Sequence, residues 1–183
     1  MPHQNPAGDE ARWIEKAKNG DEKAFGSLYE SHVSSLYRFM NQFSKNVMEV
    51  EDWVQRAFIR AFRHLHQFQG ESRFSSWLFS IAINEMRSDR RRLDLMTSVG
   101  SFDENLTDKG TSAETFEWDS TLKVFLDQLD ETNRMVFILY EVEGYSHAEI
   151  ASMLGFGEST SRTILSRTRQ SLKKKWKQDR RSV

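Results

Sequence analysis

Residues 146–172 read SHAEIASMLGFGESTSRTILSRTRQSL, and the fold turns on this stretch. Ser146 and Glu149 stand three apart ahead of an apolar run, the spacing of a capping box, so a helix is predicted to start there. Ile150, Ala151, Met153 and Leu154 give that helix one apolar face, and Gly155 ends it. A second helix is predicted from Glu158 or Ser159, running through Ile164, Leu165, Thr168 and Leu172. The expected unit is helix, tight turn, helix: Ala151 allows a close crossing, Gly155 makes the turn, and Ile150, Leu154, Phe156 and Ile164 pin the pair. The second helix then presents Thr160, Ser161, Arg162, Thr163, Ser166, Arg167 and Arg169, hydroxyls interleaved with arginines that can donate to phosphates and base edges in a major groove. A packed hairpin with a solvated basic face would have the same pattern.

Upstream, helical periodicity recurs. Phe25, Leu28, Tyr29, Val33, Leu36, Tyr37, Met40 and Phe43 fall at spacings of three and four. After a polar break at Ser44 to Asn46, a second stripe follows: Val50, Trp53, Val54, Ala57, Phe58, Ala61, Phe62 and Leu65. Two amphipathic helices this close are expected to pack antiparallel. A turn around Gly70 leads to Phe74, Trp77, Leu78, Ile81, Ala82 and Met86, a third stripe ending in Arg90, Arg91 and Arg92. With a short helix near residues 10–18, these predict an all-α domain over residues 9–92. Periodicity is absent over residues 93–117, which read as a polar, acidic linker. It resumes with Trp118, Leu122, Phe125, Leu126 and Leu129, then Val136, Phe137, Leu139 and Tyr140, giving a second helical domain over residues 118–178. The predicted architecture is two small all-α domains.

The chain has 183 residues, two prolines, no cysteine and a formal net charge of -1. Both prolines precede the first predicted stripe, so long helices are permitted almost throughout. Absence of cysteine excludes a disulfide framework and a thiolate zinc site and fits a reducing compartment. No apolar run approaches the roughly 20 residues that span a bilayer, and residues 1–13 lack a basic segment followed by an apolar one; a mature cytoplasmic protein with no membrane insertion of its own is expected. The near-zero charge is a cancellation. Residues 93–131 carry ten acids against Lys109 and Lys123, while residues 159–183 carry nine cations against Asp179. A further basic cluster, residues 87–92, sets four arginines around Asp89.

The third stripe has two readings. Phe74, Trp77 and Phe79 lie near Asn84, Arg87 and Arg90 to Arg92, and aromatics beside cations suit stacking of exposed bases along a single strand. Taken one by one, they suit core packing better. His32, His64, His66 and His147 invite a metal or acid–base reading, but only His64 and His66 are close in sequence, and their i,i+2 spacing puts them on different helix faces. No nucleophile-and-base spacing occurs, so no enzyme, cofactor or metal is expected.

Taken together these blocks resemble the bacterial extracytoplasmic-function (ECF) sigma factors, compact sigma factors that keep only the second and fourth conserved regions. Residues 24–29 (AFGSLY), 51–62 (EDWVQRAFIRAF) and 74–84 (FSSWLFSIAIN) look like region two; residues 126–129 (LDQL), 143–155 (EGYSHAEIASMLG) and 165–172 (LSRTRQSL) look like region four. The resemblance spans residues 21 to about 176. It implies a non-enzymatic subunit that binds RNA polymerase core, through the β' clamp helices and the β subunit, and delivers it to promoter DNA. Glu51, Asp52, Gln55, Arg56, Ile59 and Arg63 would face the clamp helices. Trp77, Asn84 and Arg87, with Arg90, Arg91 and Arg92 on phosphate, would recognise and help open the -10 element. Thr160, Arg162, Thr163, Arg167 and Arg169 would read the -35 element. The acidic linker would follow a nucleic-acid path inside the polymerase, and an anti-sigma factor is an expected partner.

The chain departs from the family pattern at several positions. A branched apolar residue is usual where Ser161 stands, which suggests a recognition helix less firmly anchored or slightly rotated. Proline is common at Asp130, a carboxylate at Arg56, and an aspartate where Ser88 stands beside Asp89. An autonomous helix-turn-helix regulator, with the N-terminal helices as a sensor or dimerisation module, is the competing reading.

Overall fold

The computed structural model describes residues 6–99 and 120–179. Among these, the chain is helical without strands, and it divides into two compact units within residues 1–111 and 112–183. Most of the expected linker lies outside the described residues.

The first unit contains α1 (Pro6–Lys18), α2 (Glu22–Met40), α3 (Val47–His64), a single 3-10 turn (Leu65–Gln67) and α4 (Phe74–Val99). Local chemistry sets the starts. Asp21 caps α2, accepting from the amides of Lys23 and Ala24 at 3.0 and 3.1 Å. Asn46 does the same for α3, accepting from Met48 and Glu49, so the polar break before it is a helix cap. α1 begins at Pro6, ahead of the expected start near residue 10, because proline at a first helical position forfeits only an amide with no partner there. α4 also outruns its expected end at Arg92 and continues to Val99. Leu93, Leu95 and Met96 are all exposed. No burial over residues 93–96 imposes a stripe, while the residues favour helix and no breaker occurs before Gly100.

α2, α3 and α4 bury one core, with α1 packed against α2. Leu28, Leu36, Phe39 and Met40 of α2, Trp53 and Ala57 of α3, and Leu78, Phe79, Ala82, Ile83 and Met86 of α4 lose essentially all exposure. Each large apolar side chain so buried contributes roughly 1.5–3 kcal/mol. Phe39 meets Phe79 at 5.2 Å between ring centroids and Phe43 at 5.0 Å. His32 joins α2 to α1, its Nε2 lying 2.6 Å from Glu10 Oε1.

The second unit contains α5 (Ser120–Asp127), α6 (Glu131–Glu141), α7 (His147–Leu154) and α8 (Glu158–Asp179). Asp130 caps α6 by accepting from the Asn133 amide at 2.9 Å. Arg134 folds back from α6 to the end of α5, donating to the Asp127 and Leu129 carbonyls, and so supplies acceptors there with a charged donor. Leu126, Met135, Val136, Ile138, Leu139, Tyr145, Ile150, Met153, Leu154 and Leu165 form the core.

Candidate nucleic-acid and polymerase interfaces

α7, its turn and α8 form the expected helix-turn-helix. The capping box is complete: the Glu149 amide donates to Ser146 Oγ, and the Ser146 amide donates to Glu149 Oε2 at 2.9 Å. Gly155 ends α7 at φ +79°, and its amide and that of Phe156 both donate to the Ala151 carbonyl. A Cβ on Gly155 would meet nothing within 4 Å, so glycine is required there by backbone conformation and not by space. Leu165 is the buried anchor on α8, whereas Phe156 and Ile164 are only half-buried.

Thr160, Arg162, Thr163, Arg167 and Arg169 are all exposed on α8. Thr160, Thr163 and Arg167 follow one outward stripe at spacings of three and four, while Arg162 and Arg169 share a flank seven residues apart. Arg162 pairs with Glu158 one turn back. Arg169 reaches α6, with Nε 2.6 Å from Glu141 Oε1 and its guanidinium over the Tyr140 ring at 5.4 Å. Ser161 corrects the expected surface. It is fully buried, and its Oγ lies 2.9 Å from His147 Nδ1. Counted from Leu165 and Thr168, position 161 falls on the inward stripe. Beyond this surface Lys173, Lys174 and Lys177 are exposed, Lys175 donates to Gln128 at 2.8 Å, and Arg180 and Arg181 lie outside the described residues.

On α4 the six expected DNA-contacting residues do not form one surface. Trp77, Asn84, Arg87 and Arg91 fall on a stripe at offsets of seven, three and four. Trp77 is half-buried, its ring tilted against those of Phe68 and Phe74 at 5.3 and 5.8 Å between centroids. Burial lowers the pKa of Arg87, and Arg91 lowers it further, as expected of two cations on one face. Arg90 points the other way: it donates to the Phe43 carbonyl beyond α2 and lies 5.8 Å over the Trp53 ring. Arg90, expected on phosphate, is thus set apart from the Trp77 stripe, its guanidinium held by the turn that follows α2. Arg92 is exposed but lies 3.7 Å from Asp89, on the side facing α3.

α3 shows the same division. Glu51, Asp52, Gln55, Ile59 and Arg63 are exposed. Arg56, expected to point outward with them, turns toward α4 and is corrected here. Its guanidinium lies 3.3 Å from Asp89 Oδ2, 3.9 Å from Glu85 Oε2 and 3.1 Å from Asp52 Oδ2. Asp89 also accepts from Trp53 Nε1 at 3.1 Å, and Arg60 pairs with Glu85 at 2.6 Å. Burial alone would raise the Asp89 pKa; hydrogen bonds from Trp53 and Arg56, with the charges of Arg56 and Arg92, outweigh it and lower the value.

Beside the exposed face of α3 runs a groove of about 990 Å³ between α2 and α3. Phe25, Tyr29, Phe58 and Phe62 line its floor, and Glu51, Gln55, Ile59 and Arg63 line the α3 side. Tyr29, Ile59 and Phe62 keep about two-fifths of their surface exposed, at 42%, 44% and 42%. The sequence reading took these aromatics as core, which holds for Phe58; Tyr29 and Phe62 stay open because the apolar stripe is wider than one packing face requires. The His64 and His66 rings stack at 6.4 Å because the 3-10 turn interrupts α3 between them, contrary to the separate faces a continuous helix would give. No group of three or more His, Asp or Glu side chains suited to a metal is gathered among the described residues, and none of their helices is long and apolar enough to cross a membrane.

The comparisons with known proteins agree with this arrangement. Residues 28–95 match the model of Sigma-70 region 2, and residues 121–172 match that of Sigma-70, region 4. RNA polymerase sigma factor NccH of Alcaligenes xylosoxydans xylosoxydans is 32% identical over 176 residues, covering 92% of this chain and 94% of that protein. The ECF RNA polymerase sigma-E factor of Escherichia coli (strain K12) is 28% identical over 181 residues, with coverages of 88% and 91%. Among solved structures, the sigma factor RpoE in complex with the anti-sigma factor NepR from Bartonella quintana matches with a TM-score of 0.68 and 25% identity, over 85% of this chain and 98% of that one. A region 2 and a region 4 in series do not favour the autonomous regulator. The chain belongs to the extracytoplasmic-function sigma factors, which bind RNA polymerase core and direct it to promoters by recognising -10 and -35 elements.

Proposed function

We propose a division of labour in which residues 9–92 bind core polymerase and act on the -10 element, residues 93–117 link, and residues 118–178 act on the -35 element. The observation that carries the core-binding part is the groove between α2 and α3 with Ile59 on its rim. Apolar surface left open beside charged residues suits a partner helix that supplies its own apolar ridge. Glu51, Asp52, Gln55, Ile59 and Arg63 then contact the polymerase clamp helices, and Arg56 holds α3 to α4 behind them. Ile59→Asp is expected to weaken core binding about ten-fold, read as co-elution with core polymerase, with the helical content and thermal melt of the chain unchanged. Unchanged co-elution would place the core-binding surface elsewhere.

On α4 the stripe of Trp77, Asn84, Arg87 and Arg91 is the -10 surface, Trp77 stacking an exposed base and the arginines tracking the strand. On α8 the stripe of Thr160, Thr163 and Arg167, with Arg162 and Arg169 on its flank, is the -35 surface. The exposed lysines beyond it add affinity without sequence preference. Replacing Lys173, Lys174 and Lys177 by alanine should weaken holoenzyme binding at every promoter alike and reduce the slope of log affinity against log salt by about one for each phosphate that no longer meets a lysine. A weakening confined to one promoter sequence would contradict this.

The protein acts without catalysing a reaction and works in the cytoplasm. An anti-sigma factor is its expected antagonist, since RpoE, a structural relative, was solved bound to one. Multi-round transcription from a genomic promoter library, with bacterial core polymerase and with or without this protein, tests the whole reading: new start sites carrying both elements are expected.

A further inference from the structure

We propose that His147 and Ser161 form a polar latch that positions the -35 recognition helix, so that promoter reading by α8 depends on the neutral His147 ring. The inference rests on the reading of α8 as the -35 helix. Ser161 lies in the first turns of α8, between Thr160 and Arg162, and is fully buried. A hydroxyl buried on an anchoring stripe needs a partner, and His147 Nδ1 is at 2.9 Å. His147 opens α7, and its ring stacks on Tyr140 of α6 at 4.5 Å with an interplanar angle of 24°. The contact therefore ties α8 to both helices it crosses. Arg169 closes the loop from the other side by covering Tyr140 and pairing with Glu141.

The latch has a preferred proton arrangement. With Nδ1 unprotonated, Ser161 donates to it. A protonated ring would donate to Ser161 Oγ instead, so that the buried hydroxyl must turn its own proton to another acceptor, and would set a cation among the free amides at the start of α7. The charged and titratable groups around the ring are Arg162, Arg169 and Glu158 on α8, Tyr140 and Glu141 on α6, and Glu149 on α7. Burial lowers the His147 pKa first, and Arg162 and Arg169 lower it further against the opposing Glu158. A histidine whose folded pKa lies below its unfolded value contributes fully above about pH 6.5 and progressively less as pH falls below it.

The test compares two templates in one reaction with holoenzyme: a promoter needing both elements, and a pre-opened template carrying only the -10 element. Ser161→Ala should lower the ratio of the first to the second about five-fold, and Ser161→Thr, which keeps the hydroxyl, should restore most of it. The wild-type ratio should fall as pH drops through the folded pKa of His147, which lies below its ordinary value, whereas His147→Asn, which sets an amide oxygen near the Nδ1 position, should hold a ratio that varies little with pH. An unchanged ratio in Ser161→Ala, or a pH dependence in His147→Asn equal to the wild type, overturns the latch. Equal loss on both templates, or loss of core co-elution, also overturns it, by making the pair a general folding contact. If wild-type holoenzyme shows no dependence on the -35 element, the reading of α8 fails instead, and the two failures are distinguishable.

Discussion

Arg162→Ala and Arg167→Ala combined should reduce transcription from -35-dependent promoters about a hundred-fold and leave co-elution with core polymerase unchanged. Well-formed arginine contacts to base edges are each worth roughly 1–3 kcal/mol, so removing two together reaches that factor. Arg167 is exposed on the outward stripe with Thr160 and Thr163. Arg162 is also exposed and is held by Glu158 on its own helix. An exposed i,i+4 pair contributes only about 0.3–0.5 kcal/mol, so DNA can take the arginine from it at small cost. Neither side chain packs in the core, and neither lies in the unit that carries the α2–α3 groove. A matching loss of core co-elution would show that the two regions do not divide the work as proposed.

The parts of this molecule that were legible in sequence are those decided within a few residues. Ser146 and Glu149 cap α7, and Gly155 ends it, through contacts that reach three or four positions along the chain. Such devices carry their partners with them. What escaped the reading depends on partners far away. Arg56 sits at the edge of the α3 stripe, where periodicity leaves the direction of a long side chain open, and it was decided by Asp89, 33 residues on. Arg90 was decided by the Phe43 carbonyl, in the turn that follows α2, 47 residues earlier. Ser161 belonged to the inward stripe by its spacing from Leu165 and Thr168, yet its chemistry suggested the surface until His147, 14 residues before it, supplied a hydrogen-bond partner. At each of these positions a polar side chain at the edge of a stripe, or on it, found a polar partner outside its own helix. The extension of α4 past Arg92 was hidden for the opposite reason: helix propensity without packing leaves no period to read.

The second large effect follows from that correction at Arg56. Arg56→Glu should destabilise the first unit by about 3 kcal/mol, because removing the cation leaves part-buried carboxylates without their counter-charge and adds a like charge. The guanidinium is 27% exposed and Asp89 only 19%, so solvent screens this cluster weakly. Around the new glutamate would stand Asp52, Glu85 and Asp89, each now within 4 Å of the arginine. A thermal melt of the full chain should show the transition of this unit lowered by roughly 15 °C. Adding Asp89→Arg should recover part of that loss by restoring one opposite pair, whereas Asp52→Arg alone, at an exposed position, should shift the melt little. The pH limb has a definite sign. The folded pKa of Asp89 is depressed, so its contribution is complete above the unfolded value near pH 3.9 and disappears as pH falls through the folded value below it. Wild-type stability should therefore have an acid limb below about pH 4 that Arg56→Glu flattens, since the variant loses the hydrogen bond and charge by which Arg56 depresses the Asp89 pKa. Loss of core binding by Arg56→Glu with an unchanged melt would return Arg56 to the outward surface. Because Arg56 and Trp53 hold Asp89 from α3 while Arg90 of α4 lies over the same indole, this cluster also fixes the rotation of the helix that presents Trp77, Asn84, Arg87 and Arg91, and a chain that loses it should lose -10 recognition before the unit unfolds.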